Sequence, residues 1–308
     1  MISIVKLGVK RADWVLREVT LEIQSGAKIG IIGKSGAGKS TLLKAISGHL
    51  DIQEGSVSYH GKKIIGPSLK LIPGYTEVQL VDQEFKLDPY HTVEENVREA
   101  LLHLERVERD EKVEEFLELT ELSSIRNLKA HLISGGEKQR LAIVRALALE
   151  PEFLILDEPF VHLDTRLKNK IMEYISSVRE QTNMGVLIAS HDGSELLGFV
   201  DEIIHLNNGG IQRMSGALEM FYTPDSLEQA ELLGEMNGIG LNGKEILFRP
   251  NEYKLVEKGI ALKLVSLKDR GGVFHHRYQT NDQQNVNLIS LEQMPENIQI
   301  AIKRVWKI

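Results

Sequence analysis

A compact apolar run, Lys28 to Ile32, stops at Gly33, and beyond Ser40 the apolar residues Leu42, Leu43 and Ile46 recur at helical spacing until Gly48. Strand, glycine turn and helix follow one another directly, which is one unit of an α/β fold. The turn reads Gly33-Lys34-Ser35-Gly36-Ala37-Gly38-Lys39-Ser40-Thr41 and fits the pattern G-x-x-x-x-G-K-[ST]. Glycines there let backbone N–H groups turn inward around phosphate oxygens, and the helix start that follows adds partial positive charge. Lys39 is placed to reach β and γ phosphates, and Ser40 to ligate Mg²⁺. The strand and helix on either side weigh against the plainer reading, an ordinary glycine-rich turn. Such a loop is built for a nucleoside triphosphate.

Two further segments carry chemistry. Phe153-Leu154-Ile155-Leu156-Asp157-Glu158 is a buried-strand run ending in adjacent carboxylates, a costly arrangement unless something cationic or catalytic uses them. Asp157 would hold Mg²⁺, and Glu158 would accept a proton from an attacking water. Ile133-Ser134-Gly135-Gly136-Glu137-Lys138-Gln139-Arg140 opens a helix in which Ser134 and Glu137 form a capping box and the glycines expose the first N–H groups. One triphosphate does not need two anion-facing helix starts from one subunit. The economical reading gives each to a nucleotide held mainly by a neighbouring copy, although a plain capped helix would look the same.

The 308 residues leave room for about two domains, and a 42% apolar, 26% charged composition excludes a disordered chain. The net charge of -7 argues against a broad phosphate-backbone footprint on nucleic acid, and the absence of cysteine excludes disulfides and thiolate metal sites. No basic leader and no membrane-spanning apolar stretch is expected, so a membrane role requires a partner chain. Thr92 with Glu95 forms a second capping box, followed by Val93, Val97, Leu101 and Leu104, then Val113, Phe116 and Leu117, all at helical spacing. The stretch from about 86 to 148 is therefore a helical insert. Strands return at Phe153 to Leu156 and Gly185 to Ala189. Past Gly234 short alternating runs such as Ile260, Leu262, Leu264 and Ile298, Ile300, Ile302 predict a small all-β domain. Residues 1–233 and 234–308 thus form two domains, and the cluster His275-His276-Arg277 reads as a solvated strand face.

In order and spacing, Gly33 to Thr41, Gln83, Ser134-Gly135-Gly136, Asp157-Glu158, Leu163-Asp164 and Ser190-His191-Asp192 resemble the motifs of ABC transporter ATP-binding subunits, over about the first three quarters of the chain. The resemblance implies an α/β P-loop NTPase core of ABC type with a helical subdomain, binding ATP and Mg²⁺. It implies a homodimer or paired ATPase subunit, a transmembrane permease, a solute-binding protein and a place on the cytoplasmic face of the cell membrane. Gln83 resembles the glutamine that touches Mg²⁺ and water, His191 the histidine that contacts the γ-phosphate, and Asp164 the residue linking two sites across a dimer. The stretch Asp88 to Val97 is similar to the one that meets the permease.

Three departures stand out. Glu137 replaces the commoner glutamine of the signature. Lys10 occupies the usual place of the base-stacking aromatic, so Trp14 is the candidate to stack or simply to pack. Val161-His162 replaces the small pair usual before Leu163-Asp164. Phe221 to Pro224, Gly234 to Asn237 and Phe248 to Glu252 look like the tail of importer ATPases for sugars, polyamines, iron or oxyanions, which carry an OB-like regulatory domain; here one reduced module is expected. The resemblance therefore implies a transport ATPase, with import favoured. A soluble ABC-type ATPase acting on nucleic acid or ribosomes would share the motor chemistry. Against it stand the single nucleotide module, the lack of a long heptad insertion and the negative charge. A regulator without turnover would lack Glu158 or His191, and both are present.

Overall fold

The structure is a computed structural model that describes residues 1–304 apart from His162 and Asn242. It divides into two compact units, Met1–Ala217 and Leu218–Ile308.

In the first unit, β1 (Ile2–Lys10), β2 (Trp14–Ile23), β3 (Lys28–Ile32), α1 (Lys39–Ile46), β4 (Glu54–Tyr59), β5 (Lys62–Lys63) and β6 (Val78–Val81) precede the helical insert. The insert holds α2 (Val93–Ala100), α3 (Arg106–Leu119) and α4 (Gly135–Ala148). It is followed by β7 (Phe153–Asp157), α5 (Thr165–Thr182), β8 (Gly185–Ser190), β9 (Glu202–Asn207) and β10 (Gly210–Gly216). Among the described residues β2-β1-β4-β5 form an antiparallel sheet, and β10-β9-β3-β8-β7-β6 form a second one, parallel except for β10. Strands β7 and β8 are buried at every position, which is why they read as unbroken apolar runs rather than alternating ones. Leu42, Leu43 and Ile46 of α1 share one core with Ile4 and Val57 of the antiparallel sheet and Ile29, Ile155 and Leu187 of the parallel one. α1 is therefore a wedge between the two sheets, and the loop at its start cannot drift. In the insert, both expected capping boxes form: the Glu95 N–H donates to Thr92 Oγ1 and the Thr92 N–H to Glu95 Oε2, with the same reciprocal pair at Ser134 and Glu137.

The second unit takes in α6 (Ala217–Tyr222), whose first residue belongs to the first unit, and α7 (Leu227–Leu232). Its β elements are a hairpin of β11 (Asn237–Leu241) and β12 (Lys244–Phe248) and an antiparallel sheet. That sheet, in the order β15-β14-β13-β16, joins β13 (Tyr253–Asp269), β14 (Phe274–Thr280), β15 (Asn285–Ser290) and β16 (Asn297–Ile302). The alternating runs face each other across this sheet, Ile260 opposite Ile300 and Leu262 opposite Ile298, over a core of Phe248, Tyr278 and Leu288. Arg249 is 2% exposed, and its guanidinium donates to the carbonyls of Ala230, Gly234 and Phe221 while lying over the Phe221 ring. One side chain thus ties the segment around α7 to the β elements. The expected solvated face at His275-His276-Arg277 is corrected at its centre. Strand alternation turns His276 inward, 1% exposed, where its Nε2 accepts from the Met294 N–H.

Candidate active site

The parallel strands of the first unit end together at one edge, and the polar candidates stand in the loops just past those ends. After β3, a Cβ on Gly33 would lie 2.3 Å from the Leu206 carbonyl oxygen, so only glycine lets the loop pass there. Gly36 and Gly38 take φ of +82° and +104°, left-handed values that turn successive N–H groups to one side. Lys39 reaches back across this turn, its Nζ 2.7 Å from the Gly33 carbonyl and 3.3 Å from that of Lys34. Burial lowers the Lys39 pKa, opposed by the nearby Glu158 and Asp157 carboxylates.

Asp157 ends β7 and is 5% exposed. Burial raises its pKa, partly offset by a hydrogen bond from the Ser40 side chain, and its Oδ1 has no protein partner. An oxygen kept from water without a donor suits a hard cation, and Ser40 and Gln83 offer further oxygens nearby, so the residues present fit Mg²⁺. Glu158 follows with φ of +50°, a left-handed conformation unusual for this residue type. Its N–H donates to the Ala189 carbonyl at 3.0 Å, and its Oε2 lies 3.5 Å from His191 Nδ1. Ser35, Gly36, Gly38, Lys39, Ser40, Thr41, Gln83 and Glu158 line a single open cavity of about 350 Å³, with Asp157 behind Ser40.

A family model described as ABC transporter matches residues 16–161. The sulfate/thiosulfate import ATP-binding protein CysA of Pseudomonas syringae is 32% identical over 80% of this chain and 76% of its own length. The chain belongs to the ABC transporter ATP-binding family. The spermidine/putrescine import ATP-binding protein PotA of Thermotoga maritima is 33% identical over 79% of this chain and 65% of its own. A solved dimeric ATP-binding cassette, in a post-hydrolysis state with ADP and phosphate, superposes on 70% of this chain at a TM-score of 0.63 and 29% identity. The protein is thus an ATP-binding, ATP-hydrolysing subunit of a transport system, and the nucleic-acid alternative finds no support.

Several of the candidates stand outside this cavity. Trp14 lies over Gly8 with Lys10 Nζ 6.0 Å from its ring, and Arg11 and Val15 line the cavity in its place. The cause is the tight β1–β2 turn, which pairs Trp14 with Lys10. Ser134, Gly135 and Gly136 start α4 away from this cavity, and Glu137 is occupied by its own cap, its pKa lowered by the Ser134 hydrogen bonds. Asp164 Oδ1 accepts the Leu167 N–H as the cap of α5, while its neighbour His162 lies outside the described residues. Two residues the sequence did not single out matter here. Gln139, 5% exposed, donates from Nε2 to the Glu158 main-chain carbonyl at 3.0 Å, and Lys44 meets the loop that carries Gln83. A glutamine one turn into a capped helix carries no sequence signal for the distant Glu158 carbonyl, so Gln139 could be found only in the structure.

Proposed function

We infer that the chain is the ATPase of an importer, binding Mg-ATP at two shared sites in a homodimer on the cytoplasmic face of the cell membrane and driving a separate permease. The observation that carries this reading is the convergence of the glycine loop, Lys39, Gln83 and Glu158 on one cavity, with Asp157 and His191 beside it. In this reading the loop amides from Gly33 to Thr41 and the Lys39 ammonium hold the triphosphate, with Lys34, Ser35 and Ala37 contributing through their backbone. Ser40, Asp157 and Gln83 would hold Mg²⁺, which would supply charge neutralisation of the β and γ phosphates. The Glu158 carboxylate accepts a proton from the water that attacks the γ-phosphorus, and His191 beside it steadies the γ-phosphate oxygens. A second copy covers the nucleotide with its Ser134-Gly135-Gly136, and Asp164 links the two sites.

No described helix is long and apolar enough to cross a membrane, which fits a chain that works through permease subunits. The names of the relatives, import ATP-binding proteins for sulfate, polyamines and iron, support uptake, and in this reading a solute-binding protein delivers the solute. We assign the β domain, 234–308 by sequence texture, to regulation. The test pairs two variants of the full chain. Lys39→Ala loses ATP binding, whereas Glu158→Gln keeps binding, loses turnover and accumulates an ATP-bound dimer on size exclusion. Unchanged hydrolysis by Glu158→Gln would remove Glu158 from the role of base.

A further inference from the structure

Gln83 stands in a turn that hangs from the preceding side chain. The Asp82 carbonyl accepts the Phe85 N–H at 3.1 Å, and Asp82 Oδ1 accepts the Glu84 N–H at 3.1 Å. Phe85 and Lys86 then take φ of 58° and 44°, two consecutive left-handed residues, neither of them glycine. A backbone of this kind persists only where its surroundings over-determine it. Asp82 is 3% exposed, and a carboxylate so buried requires a cation.

That cation comes from α1. Lys44 Nζ lies 3.2 Å from Asp82 Oδ2 and 3.0 Å from Glu84 Oε1, so one ammonium grips the residues on both sides of Gln83 while Gln83 itself faces the cavity. Lys44 lies one helical turn beyond Ser40, on the same stripe of the helix whose first residue is Lys39. Three other groups sense Asp82. Lys86 adds a cationic charge, Asp157 feels the Asp82 carboxylate as a like charge, and His49 is pushed down to about 4 chiefly by burial, so it stays neutral and leaves the ion pair to Lys44. None of this follows from the phosphate-binding pattern, which leaves the position of Lys44 free.

We propose that Lys44 is a positioning residue that latches the Gln83 turn to the phosphate-loop helix, so that the loop holding the triphosphate and the glutamine facing it move as one body. The proposal rests on the ATPase reading above, in which Gln83 serves Mg²⁺ and water. It implies that the orientation of Gln83 is set from inside the cassette, by a pair of charges that water cannot easily screen.

The experiment compares Lys44→Met, Lys44→Arg and Asp82→Asn in the full chain by steady-state ATP hydrolysis and by amide hydrogen exchange. Lys44→Met is expected to lower kcat about tenfold or more while KM for ATP stays within about threefold, because triphosphate binding is kept and only the glutamine is loosened. Exchange over 82–86 should accelerate in that variant while the amides of 33–46 keep their protection. Lys44→Arg should recover at least about half of kcat, and Asp82→Asn, which keeps an oxygen for the Glu84 N–H but loses the charge, should reproduce the Lys44→Met pattern. The latch is overturned if both neutral variants keep kcat within about twofold, or if exchange rises equally across 33–46 and 82–86, which would mark a structural role only. Failure of the unmodified chain to bind or hydrolyse ATP would instead overturn the ATPase reading. The exchange pattern over 82–86 still decides in that case whether Lys44 holds the turn.

Discussion

In the first unit the charged side chains collect past the ends of β3, β6, β7 and β8, where loops leave a buried sheet and face a cavity. In the second, Arg249 and His276 turn inward and spend their hydrogen bonds on carbonyls and amides of their own unit. The contrast is between polar groups that face a cavity and polar groups whose bonds hold the chain together. Asp157 Oδ1 belongs to the first kind, buried and without a protein partner; the Arg249 guanidinium, shared among the carbonyls of Ala230, Gly234 and Phe221, belongs to the second. Burial alone therefore does not separate function from architecture, and neither does one unfilled atom, since Arg249 Nε and His276 Nδ1 also lack a partner. What separates them is that the Arg249 and His276 bonds that form tie segments of their own unit together, whereas the Asp157 carboxylate stands beside an open cavity.

The sharpest way to break this contrast is Arg249→Met. It strands several buried carbonyls and removes the contact with Phe221, so the second unit should lose about 3–5 kcal/mol of stability, the range for a broken buried polar network. Hydrogen exchange over 221–234 should rise strongly while protection in Lys28–Ile32 and ATP affinity stay unchanged. A loss of ATP binding would show that Arg249 is not a purely architectural group. Next in size is Gln139→Leu, which removes the donor that pins the Glu158 carbonyl. It should cost about 1–3 kcal/mol in the hydrolytic step, visible as a lower kcat at unchanged KM, because a left-handed residue relaxes once its anchor goes.

Acid titration tests the first unit by another route. His49 has its pKa depressed from 6.5 to about 4, first by burial and then by the charge of Lys86. The unfolded chain takes up a proton near the ordinary value and the folded chain refuses it, so stability is complete above about pH 6.5 and falls as pH drops toward 4. Because the ring is only partly buried, about 1–2 kcal/mol is expected across that window. His49→Gln should flatten that part of the unfolding free energy measured by urea titration at successive pH values. The smallest effect is assigned to Trp14→Ala. With its ring over Gly8 rather than on the cavity, ATP affinity should change by less than about threefold in a fluorescence titration. A larger loss would mean that the aromatic swings onto the base.

The same contrast explains what was legible in the residues alone. Strands buried on both faces read as apolar runs, and the glycine loop, both capping boxes and the paired carboxylates announce themselves by local spacing, so the layout of the first unit followed closely. Lys28–Ile32 is a strand with the very limits read from sequence. Lys44, Gln139 and Arg249 were not legible, because each acts on a segment far away in the chain and lysine, glutamine and arginine carry no spacing rule that names a distant partner. Gln139 meets Glu158, and Lys44 meets Asp82 and Glu84, only after the parallel sheet has brought their loops together. His276 was misread because the alternation of β14 assigns adjacent residues to opposite faces, and a run of three polar residues hides which of them points in. For Trp14 the sequence left stacking and packing open, and the hairpin that pairs it with Lys10 sets its ring over Gly8.

The torsion at Glu158 carries a cost of its own. An L-residue other than glycine or asparagine held at φ of +50° gives up about 1 kcal/mol that a glycine there would recover. A Glu158→Gly replacement would relieve that backbone tension while discarding the carboxylate. Screens that reward heat resistance alone would then enrich inert molecules, because at this position durability and turnover pull in opposite directions.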